Sequence, residues 1–293
     1  MQLVSILLDV VGPVFLVAAV GYLWTLRGAP FDTKFVSLIV TGVGTPCLVV
    51  DSLSTSGLTA SALGSMALAS LLCHAMSLVG GYGFARAMGQ PPAVYAPALA
   101  FPNTGNMGLP LGLFAFGAPG LALAIGFYAV ASLAQFTVGQ SIAARTFDLR
   151  ALVRMPLLWA VLAGLILAVT GLQLPSVAAR AVHMLGGLMV PLMLLSLGHS
   201  LARLKLASFK RGLIFSLARL FGGFAIGWAV SAMLGLGGLE RGVVVIQSSM
   251  PSAVYNYIFA ERFNNQPEEV AGIVVLSTLL SIVILPFFFS TVM

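Results

Sequence analysis

The sequence has 293 residues, of which 59% are apolar and only 8% charged, whereas soluble domains average about 45–50% apolar and 25% charged residues. At roughly 20 residues per spanning helix, this length accommodates about ten membrane spans and leaves no room for an appended soluble domain, a nucleic-acid-binding module or a secreted scaffold. The net charge of +6 comes from 14 basic residues spread along the chain, too few for a basic groove. Cys47 and Cys73 lie in apolar runs at no disulfide or metal-ligand spacing, so we expect neither a metal site nor a cofactor.

Charged residues and breaks marked by glycine or proline divide the chain into ten predicted spans. In chain order these are Val4–Leu26, Lys34–Ser54, Thr59–Arg86, Ala93–Phe116, Gly120–Ala144, Arg154–Gly171, Val177–His199, Lys210–Leu234, Arg241–Phe263 and Glu269–Val292. The segments are too long and too uniformly apolar for the strands of a barrel, and lipid offers no partner to an open strand edge. The predicted fold is therefore all-α.

Lysine and arginine residues are unevenly distributed between alternate loops of this arrangement. The loops after even-numbered spans hold only Arg180 and Arg241, and Arg219 falls inside span 8. The loops after spans 1, 3, 5, 7 and 9 hold or border the other eleven: Arg27, Lys34, Arg86, Arg145, Arg150, Arg154, Arg203, Lys205, Lys210, Arg211 and Arg262. Because basic loops remain in the cytoplasm, we expect a multi-pass protein of a bacterial cytoplasmic (inner) membrane with both termini outside.

Four sequence features recur at nearly constant spacing in the two halves of the chain. The pairs are 143, 145, 146 and 149 residues apart, and they are Pro13 and Pro156, Pro46 and Pro191, Gly81-Tyr82 and Gly227-Trp228, and Pro102 and Pro251. A polar loop separates the halves, which we take as residues 1–147 and 151–293. Because five helices is an odd number, the second copy would cross the membrane upside down, as in the inverted repeats of secondary transporters. The alternative is that prolines, which are frequent in spans, match by chance.

Two segments interrupt the apolar pattern at matched positions in spans 4 and 9. The first is FPNTGNMGLP, over residues 101–110, and the second is QSSMPSAVYNY, over residues 247–257. Pro102, Pro110 and Pro251 break the helices there, since each removes a backbone donor. Unwound backbone at this depth is tolerated only inside the protein or beside a water-filled cavity, so we expect the two segments to cross in the interior.

The two breaks create a candidate anion-binding site. Each new half-helix begins with N–H groups of partial positive charge, which favour an anion by about 0.3–1 kcal/mol. Pro251 is expected at the first position of the second half-helix, with Met250 or Ser249 as its cap. The alternative is that Asn and Ser side chains only satisfy the carbonyl groups of kinked helices. The candidate substrate-binding side chains are Asn103, Thr104 and Asn106 at the first break, and Ser249, Ser252 and Tyr255 at the second.

Three ionisable side chains inside the predicted spans are candidate proton or charge sites. Arg219 lies nine residues past Lys210, about 13 Å along the axis, so it either lines a cavity or pairs with a backbone carbonyl. His74, near mid-depth in span 3, is either a proton carrier or a neutral histidine bonded to a carbonyl. Asp51, near the outer end of span 2, is either a proton site or part of a solvated helix end.

The sequence resembles the auxin efflux carrier family, in particular its short bacterial members described as malonate carriers, in the segments FPNTGNMGLPL and SSMPSAVYNYIFAERF and in the five-plus-five arrangement. The resemblance covers essentially the whole chain and implies the fold of the bile-acid sodium symporters, with spans 4 and 9 crossing near the midplane. It also implies a scaffold of spans 1, 2, 6 and 7 that often forms a homodimer, and a core of spans 3–5 and 8–10 that moves like an elevator. By the family pattern, Asn103 contacts a substrate carboxylate with help from Gln135. Gln247, Ser248 and Ser249 offer no carboxylate for sodium at the crossing.

These features predict a secondary active transporter of small organic anions rather than an enzyme. The sequence holds no His-Glu-x-x-His motif, no nucleophile elbow and no pair of intramembrane carboxylates at a plausible spacing. Inverted broken helices argue against a passive channel. Malonate is the foremost expected substrate, and proton coupling is expected for import because a dianion entering against about 100 mV costs about 4.6 kcal/mol. The alternatives are export of an aromatic carboxylate such as auxin, and sodium-coupled anion symport.

Overall fold

The computed structural model describes residues 6–55, 59–145, 153–204 and 208–293. Regular secondary structure within these ranges is helical, as the sequence predicts. The chain is therefore an all-α, multi-pass membrane protein. The predicted seam between the halves, together with Val4, Arg150 and Lys205, lies outside the described residues. Within the described ranges, seven helical stretches are long and apolar enough to cross a membrane: Asp9–Leu26, Thr33–Thr55, Ser61–Ala87, Thr104–Ala144, Ser176–Arg203, Phe209–Met233 and Pro267–Ser290.

The described α-helices are numbered here in chain order. They are α1 (Gly12–Leu26), α2 (Thr33–Ile39), α3 (Thr45–Thr55), α4 (Ala60–Ala87), α5 (Pro92–Ala100), α6 (Leu109–Ala134), α7 (Gln140–Ala144), α8 (Pro156–Thr170), α9 (Ser176–Gly187), α10 (Met189–Arg203), α11 (Phe209–Met233), α12 (Gly238–Ser248), α13 (Val254–Arg262) and α14 (Pro267–Ser290). Wider π-helical turns precede α1, α3, α6 and α7, at Ile6–Val11, Val40–Gly44, Thr104–Gly108 and Gln135–Gly139. Predicted spans 2, 3, 8 and 10 match helical stretches to within two residues at either end.

Side-chain caps explain why three of these helices begin where they do. The side chains of Asp32, Thr59 and Ser208 each accept a hydrogen bond from the N–H group three residues further on. Such a bond satisfies one of the N–H groups that have no partner inside the helix. These polar residues therefore determine the starts of α2, α4 and α11.

The stretch Thr104–Ala144 is 41 residues long, about twice what the hydrocarbon core requires, and it folds back on itself at Gly117. Gly117 has φ 67° and ψ −163°, a conformation that glycine adopts without steric penalty. A Cβ atom at Gly112 would lie 3.1 Å from the Cβ atom of Ala124. These residues would be about 18 Å apart in a straight helix, so the contact requires the chain to reverse. Helix α6 is therefore a helical hairpin, which turns between predicted spans 4 and 5.

The helices pack in two groups. In the first group, α1 packs against α10, and α3 packs against α8 and α9. In the second group, α4 packs against α5, α6 and α11, and α11 also packs against α12 and α14. The first group corresponds in sequence to predicted spans 1, 2, 6 and 7, and the second to spans 3–5 and 8–10. Both interrupted helices, α5 with α6 and α12 with α13, lie in the second group.

A close approach of α1 and α10 depends on Gly21 and Gly198. A Cβ atom at Gly198 would overlap the carbonyl oxygen of Ala18, and one at Gly21 would overlap that of Leu195. We therefore expect Gly198→Ala to lower the free energy of unfolding by about 1–3 kcal/mol, because it forces the two helices apart. Thermal unfolding in a single detergent is the measurement, with Gly80→Ala as the control, since a Cβ atom there meets nothing within 4 Å. Equal transition temperatures for the two variants would contradict the prediction.

Candidate binding site at the helix crossing

Two short non-helical segments lie side by side inside the protein, one after α5 and the other between α12 and α13. They pair through an antiparallel bridge between Pro102 and Ser252. The N–H group of Asn103 donates a hydrogen bond to the carbonyl oxygen of Pro251 at 2.7 Å. The two segments that were predicted to cross are therefore in direct contact through their backbones.

The second half-helix begins later than the sequence predicts. Its first residue is Val254 rather than Pro251, and Ala253 precedes it without any side-chain capping bond. The prediction that Met250 or Ser249 caps this helix is therefore wrong. The chain remains extended up to Ala253 because the backbone groups of Pro251 and Ala253 hydrogen-bond to the first segment instead of to a helical turn.

Asn103 is buried at the crossing, with 4% of its surface exposed. Its carbonyl oxygen accepts a hydrogen bond from the N–H group of Gly108 at 3.0 Å. Its side-chain Nδ2 atom has no hydrogen-bond partner among the described residues. Thr104 beside it is also buried. A buried donor without a partner costs about 1–3 kcal/mol, and such a group marks a place where a ligand can supply the missing acceptor.

Gln247, near the end of α12, reaches the first broken helix. It is 1% exposed, and its Nε2 atom donates to the carbonyl oxygen of Gly108 at 2.9 Å. Its Oε1 atom has no partner within the described part of the chain. The crossing therefore contains an amide donor and an amide acceptor that no described residue pairs with.

Asn256, which is not among the binding residues predicted from the sequence, joins the two segments. Its Nδ2 atom donates to the carbonyl oxygen of Phe101 at 2.9 Å and to Oγ of Ser252 at 3.0 Å. Its Oδ1 atom accepts a hydrogen bond from Nε2 of Gln135 at 3.2 Å. Gln135 and Ser252 thus belong to one buried network, and Asn256 is its centre. The signal in the sequence was an asparagine five residues after Pro251, close to the four-residue offset of Asn106 from Pro102.

Three other predicted residues of the two breaks are used in the structure of the protein itself. The Oγ atom of Ser249 donates to the carbonyl oxygen of Val245 in the same helix, which is the self-satisfied arrangement considered as the alternative. The N–H group of Ser252 donates to Oγ of Ser277 in α14 at 3.1 Å. Pro110 is buried in the first turn of α6, directly after the helical turn Thr104–Gly108. The helical stretch continues through Pro110, so the prediction that it breaks the helix is wrong.

Asn106 and Tyr255 line a cavity of about 60 Å³ between the two groups of helices. A larger cavity, of about 520 Å³, adjoins it on the side of the exposed residues Arg203 and Glu261. The two cavities therefore adjoin each other between α10 and α13 and outline a route with both polar and apolar lining residues. Of the predicted binding residues, Asn106 and Tyr255 line this route, whereas those at positions 103 and 104 are buried at the crossing itself. The lining residues that the two cavities share are Thr33, Ser200, Val254 and Ile258.

The structure distinguishes the two readings of Arg219. Its guanidinium group donates hydrogen bonds to the carbonyl oxygens of Leu99 and Ser248, near the ends of α5 and α12. The side chain is 1% exposed and lines neither of the cavities described above. Arg219 therefore pairs with backbone carbonyl groups beside the crossing.

His74 and Asp51 lie in different surroundings. The Nδ1 atom of His74 is 2.6 Å from the carbonyl oxygen of Ser70, and its Nε2 atom has no partner among the described residues. Its ring stacks on that of Phe101, with the ring centroids 5.9 Å apart. Asp51 instead pairs with the exposed His183 of α9, at 2.9 Å. His74 is therefore adjacent to the crossing, and Asp51 belongs to the other group of helices. No cluster of three or more His, Cys, Asp or Glu side chains in the described ranges is placed to hold a metal ion.

His199 was not assigned a role from the sequence. It is buried, with Nδ1 2.7 Å from Oγ1 of Thr25 and Nε2 3.0 Å from Oγ1 of Thr33, and it stacks on Phe31 at 4.2 Å. These partners lie 166 and 174 residues away in the sequence, so no local pattern indicates them. His199 connects α10 with α1 and with the start of α2 at the wall of the larger cavity.

The fold and the site together define a class of protein. The molecule is a helical membrane protein in which two broken helices meet at a polar interior point, and in membranes such irregular backbone belongs to ligand and ion pathways. These are features of secondary transporters.

Comparison with known proteins agrees with this class. A family described as membrane transport protein matches residues 140–289. An uncharacterized transporter of Methanothermobacter thermautotrophicus is 29% identical over 296 residues, which cover 93% of this chain and 94% of that protein. An uncharacterized transporter of Methanocaldococcus jannaschii is 29% identical over 194 residues, which cover 62% of this chain and 63% of its own. The chain belongs to the membrane transport protein family, so the auxin efflux carrier resemblance is confirmed at that level and indicates a transporter rather than an enzyme.

Proposed function

We propose that this protein is a secondary active transporter of small organic anions, foremost dicarboxylates such as malonate. The observation that carries the proposal is the unpaired Nδ2 donor of Asn103, 4% exposed, beside the N-terminus of the helical turn Thr104–Gly108. A carboxylate oxygen at this point would accept from the amide and would also interact favourably with the helix N-terminus. No described residue satisfies this donor, so it carries a free-energy cost that a bound anion would remove.

The architecture that we propose is ten spans arranged as two inverted five-helix repeats, with the broken helices as spans 4 and 9. Three observations support it. The reversal at Gly117 divides the longest helical stretch into two spans. The breaks lie at matched places in the two halves and touch each other. The helices pack in two groups that correspond in sequence to a scaffold and a core.

We propose alternating access by an elevator-type movement of the core against a scaffold that forms a homodimer. The large cavity supports this, since it lies between the groups and opens beside Arg203. At the other end of the span that begins at Thr33, Leu53 of the first group is buried in the same apolar cluster as Leu63 and Leu121 of the second group, which supports closure at that end. The structure would then represent the state that is open toward the basic loops.

The experiment that tests the function is a binding screen followed by transport in proteoliposomes. A mono- or dicarboxylate substrate at 100 times its dissociation constant is expected to stabilise the purified protein by about 2.7 kcal/mol. The same compound is expected to show saturable uptake that is accelerated by substrate on the opposite side. Flux without saturation or counterflow would indicate a channel. The absence of binding by any carboxylate would overturn the proposal.

The basic loops predict the orientation of the protein in a bacterial cytoplasmic membrane. In a background with Cys47 and Cys73 replaced by serine, cysteine tags at both termini are expected to react with an impermeant thiol reagent added outside intact cells, because basic loops stay in the cytoplasm. Met88→Cys, exposed between α4 and α5, is the matched control and should react only after permeabilisation. Protection of either terminus would refute the ten-span topology.

A further inference from the structure

Arg219 places a permanent positive charge beside the crossing. Among the described residues it is the charged side chain that is fully buried, at 1% exposure. A guanidinium group stays protonated at physiological pH, and no acidic side chain in the described ranges forms an ion pair with it. Its Nε atom also lacks a partner among them. Within the described part of the chain, backbone carbonyl groups are therefore the partners that hold this charge in place.

Those carbonyl groups belong to the C-terminal ends of two helices. Leu99 is one residue from the end of α5, and Ser248 is the last residue of α12. Gly223 makes the second contact possible, since a Cβ atom there would overlap both the Arg219 guanidinium and the Ser248 carbonyl. The position is thus built to bring one cation to the carbonyl ends of both interrupted helices.

The helix ends at the crossing would have no net charge without this arginine. Each helix C-terminus carries about half a negative charge, and each N-terminus about half a positive charge. Two C-termini end at the crossing, and two N-termini begin there, at Thr104 and Val254. The guanidinium group of Arg219 neutralises the two carbonyl ends, so the crossing keeps about one net positive charge, located at the N-termini and close to the unpaired Asn103 amide.

We propose that Arg219 determines the charge selectivity of the crossing, so that ligand affinity rises with each negative charge on the ligand. Arg219 acts as a positioning residue, because it contacts the helix ends rather than the ligand. The inference rests on the proposed function, since it concerns how the same site discriminates between anions.

The test uses three ligands that have the same shape and differ in charge. Malonamide is neutral, malonamate is a monoanion, and malonate is a dianion above pH 7. Their dissociation constants are measured with the purified full-length protein. Arg219→Gln removes the charge and keeps an amide donor, whereas Arg219→Lys keeps the charge. Arg241→Gln is the matched control, because Arg241 also donates to a backbone carbonyl oxygen, that of Leu236, which lies in the loop before α12 and away from the crossing.

An electrostatic role has a signature that a structural role lacks. The electrostatic interaction energy is proportional to the charge of the ligand. The factor by which Arg219→Gln raises the dissociation constant of malonate should therefore be the square of the factor for malonamate. In Arg219→Gln we expect the dissociation constant to rise about tenfold for malonamate and about 100-fold for malonate, and to stay unchanged for malonamide. The dissociation constants of Arg219→Lys and Arg241→Gln should be close to those of the wild type. The inference would be overturned if Arg219→Gln raised the dissociation constants of the two anions by equal factors, or if Arg219→Lys weakened binding as much as Arg219→Gln. Either result would leave the proposed transport function intact.

The wild-type protein alone keeps the inference falsifiable if Arg219→Gln does not fold. Its affinity should rise from malonamide to malonamate and again to malonate. Equal affinities for the three compounds would overturn the inference even though the site binds them. A wild-type protein that binds no carboxylate at all would overturn the proposed function as well, so the two failures are distinguishable.

Discussion

Replacing Asn103 with alanine is expected to abolish carboxylate transport while the stability of the protein stays unchanged or rises slightly. The side-chain Nδ2 atom of Asn103 bonds to no described residue, so its removal deletes no hydrogen bond within the described part of the chain and relieves an unsatisfied buried donor. A hydrogen bond to a charged ligand contributes about 1.5–3 kcal/mol, so binding should weaken by about 10- to 150-fold. Substrate binding, uptake and thermal unfolding, measured on the same preparation, would test this combination.

Asn256→Ala provides the contrasting result. It removes bonds to the Phe101 carbonyl, to Ser252 and to Gln135, so it should lower the free energy of unfolding by about 1–3 kcal/mol. Asn265→Ala is a control away from the crossing, since Asn265 donates to the Ala93 carbonyl at 3.0 Å, and transport should persist. Normal uptake by Asn103→Ala would exclude it from the substrate site. A loss of stability as large as that of Asn256→Ala would show that Asn103 has a structural role instead.

Uphill uptake of malonate is expected to follow an inward proton gradient and to be insensitive to replacement of sodium by potassium. Import of a dianion against about 100 mV, negative inside, costs about 4.6 kcal/mol, and two co-transported protons make the cycle electroneutral. One pH unit is worth about 1.4 kcal/mol per proton, so a gradient of one unit supports about 100-fold accumulation with two protons. Proteoliposomes with imposed pH or sodium gradients distinguish these cases. Accumulation that follows sodium at fixed pH would show that the coupling prediction is wrong.

His74 is a protonatable side chain that the structure places beside the crossing. Its Nε2 atom is buried without a partner among the described residues, and its ring stacks on Phe101, adjacent to the bridge. A dianion bound nearby favours a charged histidine, so proton and anion would bind cooperatively. We therefore expect His74→Gln to abolish accumulation driven by the proton gradient and to retain counterflow. His183→Gln, which removes the exposed partner of Asp51, should leave coupling unchanged. Full coupling in His74→Gln would contradict the assignment.

The amino-acid sequence by itself was sufficient to predict the class of fold and the position of the crossing. An apolar stretch of about 20 residues has one stable form in lipid, which is a helix, and that choice does not depend on neighbouring segments. Pro102 and Pro251 remove backbone donors wherever the fold places them, so the breaks are also local properties. Asp32, Thr59 and Ser208 mark helix starts through bonds that span three residues, and these too can be read locally.

Only the tertiary structure decided how the polar side chains of the interior are used. Asn256 bonds to Gln135, 121 residues away, and Arg219 bonds to Leu99, 120 residues away, so neither partner follows from local spacing. The late start of α13 at Val254 has the same cause, because the backbone before it pairs with the other segment rather than with a helical turn. A buried polar group takes whichever partner the packing brings within about 3 Å, and packing depends on the whole chain.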